Sequence, residues 1–323
     1  MTTVVRVKTP GTVEQFEVAE VELPPPAADE VRIRQTAIGV NFVDIYQRSG
    51  LYPMPPANIP GVEGVGVVAA IGASVTSVKA GDRIAYAGAP VGAYAAERNL
   101  PAWRAVKLPD SLSDEAVASS FVKAITAHML LFRVYPVASR TTLLVHSAAG
   151  GVGQLLTRWA NHLGATVIAT VSSEAKAAIA RQAGASHVIV GRDADFAQAV
   201  GDLTGKRGVD VAYDGVGGAT LAKTFACVRP FGVVASTGQA GGPIPPVDVS
   251  DLGPRRSLSL ARPSVMAYMN ETEAYRAAAD AALAGIASGI LKVSGQAYPL
   301  TDAARAHADL EAGRTSGALY LKP

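Results

Sequence analysis

A chain of 323 residues is long enough for two domains with a cleft between lobes, and 49% apolar against 17% charged residues excludes a disordered chain. Its 29 Lys and Arg against 27 Asp and Glu leave no basic surplus for DNA, RNA or an acidic membrane surface. The single cysteine, Cys227, rules out a disulfide framework within the chain and, in the apolar stretch LAKTFACVRP, reads as a buried residue on a helix.

The N-terminus, MTTVVRVKTPG, has neither the charged start nor the apolar run of a secretory signal, which predicts a cytoplasmic protein. Short β-branched runs punctuated by glycine and proline follow: VVRVK, FEVAEVEL, EVRIRQTAIGV, GVEGVGVVAAIG and GDRIAYA. They predict a small all-β domain. Helical texture begins at Ser113, and from Thr142 strand and helix alternate. The strands are LLVHS, ATVIAT, SHVIV, VDVAYD and GVVAST; the helices run to Leu163, over 175–183, over 196–203 and over 219–228. Such alternation predicts a doubly wound parallel sheet, an α/β fold.

A further apolar alternation, Leu258 to Leu260 in SLSLARPS, comes last in that sheet and predicts edge-to-edge pairing with a second copy, a homodimer. Beyond Arg262 and Pro263 come a long amphipathic helix, a strand region (ILKVSGQAYPL), a helix (TDAARAHADLEAG) and a last strand (ALYLKP). Arg276 and Asp280 interrupt the alanine-rich part of the long helix, so it does not read as a membrane span. These segments have the texture of the first part, which predicts that the chain returns to complete its first domain.

Ala148-Ala149-Gly150-Gly151-Val152-Gly153 has the spacing G-x-G-x-x-G with alanine in the first slot, after an apolar strand and before a helix. Gly150 lets backbone approach a pyrophosphate, Gly153 lets the helix pack on its strand, and the helix start offers unpaired N–H groups. About 20 residues on, a dinucleotide site usually carries an acid that grips the adenosine ribose. The corresponding strand here ends in Ser172 and Ser173, with Lys176 following. Hydroxyls and an ammonium attract a 2′-phosphate that a carboxylate would repel, which predicts NADPH. One charge-assisted hydrogen bond is worth about 1.5 to 3 kcal/mol, roughly a 10- to 150-fold preference over NADH. Lys176 also fits as an ordinary solvated helix residue.

The stretches AIGVNFVDIYQRSGLYP, PGVEGVGVV, KAGDRIAY, SAAGGVGQ, VAYDGVGG and RPS, in this order, resemble the zinc-independent quinone oxidoreductases of the medium-chain dehydrogenase/reductase superfamily. The resemblance implies a GroES-like catalytic domain over 1–122 and 264–323, a Rossmann NADPH domain over 123–263, and an active site in the cleft between them. It places Asn41 beside the nicotinamide, Tyr46 and Tyr52 along the substrate pocket, and Thr126, Gly238, Gln239, Arg262 and Arg314 along the cofactor, with Asp44 orienting its neighbours. Tyr46 and Tyr52 also read as a half-buried packing residue and a loop residue. Where family members carry a tyrosine near the phosphate, this chain has Val190-Gly191-Arg192, and Arg314 stands about one position from the family arginine.

The zinc alcohol dehydrogenases, similar in fold, hold catalytic zinc from a Cys-x-x-Asp region and a Gly-His-Glu; here Asn41-Phe42-Val43-Asp44 and Gly61-Val62-Glu63 stand there. The soft ligands are gone, and His128, His146, His162, His187 and His307 form no short-spaced ligand pair, so no metal is expected. Ordinary ketones need a Lewis acid to carry a localised alkoxide, whereas quinones and conjugated enones take hydride into a delocalised anion. The reading is therefore an NADPH-dependent quinone reductase, with reduction of α,β-unsaturated aldehydes or ketones as the alternative. A non-catalytic RNA-binding or lens structural role, also seen among relatives, is disfavoured by the even charge. His146 reads as a satisfied core histidine and Asp214 as a turn cap.

Overall fold

The computed structural model describes residues 1–254 and 256–323. The chain divides into two compact units, one of Met1–Ile125 with Met266–Pro323 and one of Thr126–Val265. The first unit opens with β1 (Thr2–Val7) and β2 (Phe16–Val21), an antiparallel ribbon. It continues through β3 (Glu30–Val40), helix α1 (Phe42–Arg48), β4 (Glu63–Ile71), β5 (Arg83–Ala87), β6 (Glu97–Pro101) and β7 (Val106–Lys107). Helix α2 (Asp114–His128) leads into the second unit and continues as a π-helical turn to Val134. The stretch Asp114–Val134 is long and apolar enough to cross a bilayer, and 72% of that window is buried inside the protein, as in a core helix.

The second unit alternates as its sequence predicts: β8 (Thr142–Val145), α3 (Gly151–His162), β9 (Thr166–Val171), α4 (Glu174–Gln182), β10 (His187–Val190), α5 (Phe196–Leu203), β11 (Val209–Asp214), α6 (Thr220–Phe225), β12 (Val228–Ser236) and β13 (Ser259–Ala261). These strands form one parallel sheet in the order β10-β9-β8-β11-β12-β13. The order reverses between β8 and β11, where doubly wound sheets open a crevice at the carboxyl ends of their strands. Every residue of β11 is buried, as a strand covered on both faces requires, and Leu144, Ile168, Val200, Leu221 and Val234 pack around it.

Two local readings of this unit need correction. The helix expected over 219–228 stops at Phe225 because Val228 is drawn into β12, opposite Val209. Cys227 therefore lies in the intervening turn, 1% exposed, with its thiol donating to the Lys223 carbonyl, and burial pushes that thiol up to about 12. The last strand begins one residue later than expected: the Leu258 N–H bonds the Leu252 carbonyl and its side chain packs on the core, leaving Ser259–Ala261 at the edge.

The chain then returns to the first unit through α7 (Val265–Tyr268), α8 (Thr272–Ala287), β14 (Gly295–Pro299), α9 (Ala303–Glu311) and β15 (Ala318–Lys322). Strand β15 pairs antiparallel with β3 and parallel with β14, extending a sheet ordered β14-β15-β3-β4-β5-β7, with β6 also on β3. Its core joins residues from both ends of the chain: Ile33, Ile38, Tyr86, Tyr94 and Leu100 with Tyr298, Ala303 and Leu319.

Candidate active site

In the second unit the expected cofactor residues other than Thr126 follow the carboxyl ends of the parallel strands. Ser147, at φ 53, turns the chain sharply after β8, and Gly150 N–H closes the turn on the Ser147 carbonyl at 2.9 Å. Gln154 fastens the same loop by donating Nε2–H to the Ala149 carbonyl at 2.8 Å. A Cβ on Gly153 would lie 2.4 Å from the Ser147 oxygen and 2.7 Å from Ala148 Cα, so only glycine lets α3 pack this closely. Gly150 is the N-cap of α3, with Gly151 and Val152 half-buried in its first turn, and no side chain among the described residues caps that start. Its N–H groups remain for an anion.

Helix α4 begins differently. Ser173 Oγ accepts the Lys176 backbone N–H at 3.4 Å, so VSSEAK is a capped helix start. The cap uses a lone pair of the Ser173 hydroxyl and leaves its O–H to donate. The Ala148 N–H to Thr170 carbonyl bond, 3.2 Å, ties the glycine loop to the end of β9, where half-buried Ser172 and exposed Ser173 follow. Asp214 caps the turn after β11, its Oδ1 accepting the N–H groups of Val216 at 2.8 Å and Gly217 at 2.9 Å. After β12, Arg262 Nη1 donates to Ser236 Oγ at 2.9 Å and to the Gly238 carbonyl at 3.4 Å, which pins the strand end carrying Gly238 and Gln239. His146 has both ring nitrogens engaged, by Thr170 Oγ1 and Thr224 Oγ1 at 2.9 Å each, as a core histidine should. Thr126, half-buried on α2, is the first residue of this unit.

The first unit contributes a buried polar cluster. Strand β3 delivers Asn41 to the N-cap of α1 in extended conformation, 9% exposed. Asn41 Nδ2 donates to Glu63 Oε1 at 2.8 Å, while Lys123 Nζ donates to Asn41 Oδ1 at 2.9 Å and to the Val40 carbonyl at 3.3 Å. Glu63 Oε2 accepts the Val122 N–H at 2.8 Å, and the Lys123 ammonium stands 3.6 Å from Glu63 Oε1. A turn away, Asp44 Oδ2 accepts the Asn41 backbone N–H at 2.8 Å and the Tyr94 O–H at 3.3 Å; Tyr94 in turn meets His307 Nε2 at 2.8 Å.

Burial raises the Asp44 carboxyl to about 7; the Asn41 N–H opposes this, the Glu63 charge adds to it, and the Lys123 charge and Tyr94 oppose it. Burial lowers the His307 imidazole to about 3, with the Arg48 charge adding to the effect. Asp44 Oδ1 and His307 Nδ1 find no hydrogen-bond partner among the described residues.

On the outer face of α1, Tyr46 meets Phe42 at 6.1 Å between centroids and Tyr52 at 5.2 Å, edge to face. Tyr52 is 37% exposed, so this aromatic step is open to solvent. Asn41 caps α1, Tyr46 lies on it, and Tyr52, past its end, returns to it by donating its backbone N–H to the Tyr46 carbonyl at 2.9 Å. Arg314 is engaged within its own unit: its Nε and Nη2 donate to Asp309 Oδ1 at 2.9 and 2.7 Å.

Sequence reasoning missed Lys123, Phe42, Gln154, Tyr94 and His307 as members of these clusters. Phe42 had a signal, the i, i+4 spacing to Tyr46. Lys123 had another: with Ser119 and Ser120 it makes a polar stripe on an otherwise apolar helix.

Two family models match the chain, an alcohol dehydrogenase GroES-like domain over 27–110 and a zinc-binding dehydrogenase over 151–283. Quinone oxidoreductase 1 of Escherichia coli is 39% identical over 97% of this chain and 97% of its own length. A 2-haloacrylate reductase of Burkholderia is also 39% identical, over 97% of this chain and 96% of that protein. The crystal structure of Escherichia coli quinone oxidoreductase complexed with NADPH superposes with a TM-score of 0.96 at 38% identity, covering 99% of this chain and 100% of that one.

The zinc of the second family model finds no suitable donor set among the described residues. Among the described residues no three His, Cys, Asp or Glu side chains cluster as ligands, both Glu63 oxygens accept protein N–H groups, and an ammonium stands beside them to repel a dication.

Proposed function

Because the chain belongs to the quinone oxidoreductase family of the medium-chain dehydrogenase/reductase superfamily, we propose that it is an NADPH-dependent quinone reductase that works without a metal. The uncapped start of α3, led by Ala149, Gly150, Gly151 and Val152, receives the diphosphate through backbone N–H groups. Ser172, Ser173 and Lys176 take the 2′-phosphate, and Thr126, Gly238, Gln239 and Arg262 support the remaining length of the dinucleotide. NADPH supplies a hydride when bound. Tyr46 and Tyr52 offer ring faces and O–H donors to a flat substrate, and the Asn41 amide offers an N–H to an oxygen. A quinone spreads the incoming charge over its ring, so alignment and hydrogen bonds suffice where a simple ketone needs a Lewis acid. Arg314, paired with Asp309, supports the reading least.

One observation carries this reading: a single parallel sheet presents an uncapped helix start after β8 and a serine pair, in place of an acid, after β9. The likeness to a 2-haloacrylate reductase favours a second reading, reduction of α,β-unsaturated aldehydes or ketones. Stopped-flow oxidation of NADPH against a panel of quinones and enones separates the two. Rapid turnover of quinones is expected; enone turnover with no reaction of any quinone replaces the first reading by the second. The proposal includes a cytoplasmic homodimer paired through the β13 edge, for which light scattering at micromolar concentration should return twice the chain mass and a monomeric mass would remove the pairing.

A further inference from the structure

Lys123 is a buried cation on helix α2. Its flexible stem could carry an ammonium to water, yet the side chain is 7% exposed, and burying a charge is costly unless its hydrogen bonds are met. The three atoms that receive it are the Val40 carbonyl, Asn41 Oδ1 and, at 3.6 Å, Glu63 Oε1. Glu63, 1% exposed, holds the other end of the same amide at Nδ2 and is itself fixed by the Val122 N–H. The Asn41 backbone N–H is held as well, by Asp44 Oδ2. Strand β3 leaves the space: a Cβ on Gly39 would fall 2.1 Å from Glu63 Oε1.

An amide with its oxygen on a cation and its nitrogen on a carboxylate cannot flip, because the reversed amide would set N–H against ammonium and oxygen against carboxylate. We infer that Lys123 and Glu63 are positioning residues that lock the Asn41 carboxamide so that its second Nδ2–H points in one fixed direction, toward the oxygen of a bound carbonyl substrate. The inference rests on the reductase reading given above.

The test is a kinetic double-mutant cycle on the full chain, with NADPH and 1,4-benzoquinone as the probes. Lys123→Met strands the Glu63 charge and risks misfolding, so the charge-neutral pair Lys123→Met with Glu63→Gln is made beside it. In the native background the pair is expected to lower kcat about tenfold or more while the NADPH Kd, from nicotinamide fluorescence, stays within about twofold. In an Asn41→Ala background the same pair is expected to change kcat by less than about twofold, because the amide it holds is gone. Unchanged kcat in the native background, or equal losses in both backgrounds, overturns the inference. If the unmutated enzyme reduces no quinone, the reductase reading fails instead, so the two failures are separately visible.

Discussion

The two units hold their functional groups by opposite means. The second unit presents backbone: a helix start with no side-chain cap, a sharp turn at Ser147 and glycines packed against it. Its chemistry follows from local chain geometry, so the residues lie close together in sequence. The first unit presents side chains held by other side chains, with Asn41, Glu63 and Lys123 brought from the N-cap of α1, β4 and α2. A site made of backbone tolerates exchange of many side chains but few changes of shape, whereas a site made of paired charges fails when one partner is lost.

The sharpest way to break that contrast is at Gly153. Gly153→Ala places a methyl against the Ser147 carbonyl, and a cost of about 3 kcal/mol is expected, together with loss of NADPH binding. Urea unfolding and a fluorescence titration check both. Gly39→Ala asks the same of the first unit. It displaces the Glu63 carboxylate, and kcat should drop about tenfold or more with NADPH affinity nearly unchanged. A parallel fall in affinity would show that the two units do not divide the work as described.

A subtler prediction concerns pH. The folded state holds the Asp44 proton up to about 7 while the unfolded carboxyl, near 3.8, has released it, so this group costs stability as pH rises between those values. The His307 imidazole stays neutral down to about 3 when folded but protonates near 6.5 when unfolded, so stability is lost as pH falls through that window. The slopes oppose each other, each about 1 kcal/mol per pH unit. Between about pH 4.5 and 6.5, Asp44→Asn should therefore leave stability rising with pH, and His307→Gln should leave it falling. Urea midpoints that move in the same direction in both variants would contradict the assignment.

How much was legible follows from the same contrast. The alternation from β8 to β12 was readable because each strand and helix announces itself by its own period, and the glycine-rich turn before α3 because glycine spacing is local. Helix α6 was read too long because its apolar pattern runs on into β12, and only tertiary pairing of Val228 with Val209 decides the boundary. Asn41, Tyr46 and Tyr52 were reached by resemblance rather than by periodicity. The network behind Asn41 was illegible: Tyr94 and His307 stand 213 positions apart and Asn41 and Lys123 stand 82, and only the non-local sheet brings them together. The serine-lysine turn was legible as a motif, and the structure adds that Ser173 also caps α4.

The most direct test of the account is a paired fluorescence titration of NADPH and NADH against the native protein and Lys176→Ala. The account predicts roughly 10- to 150-fold tighter binding of NADPH by the native protein, and loss of most of that margin in the variant. Equal affinity for both cofactors in both proteins would contradict it, reducing VSSEAK to a helix start and removing the feature that selects the cofactor.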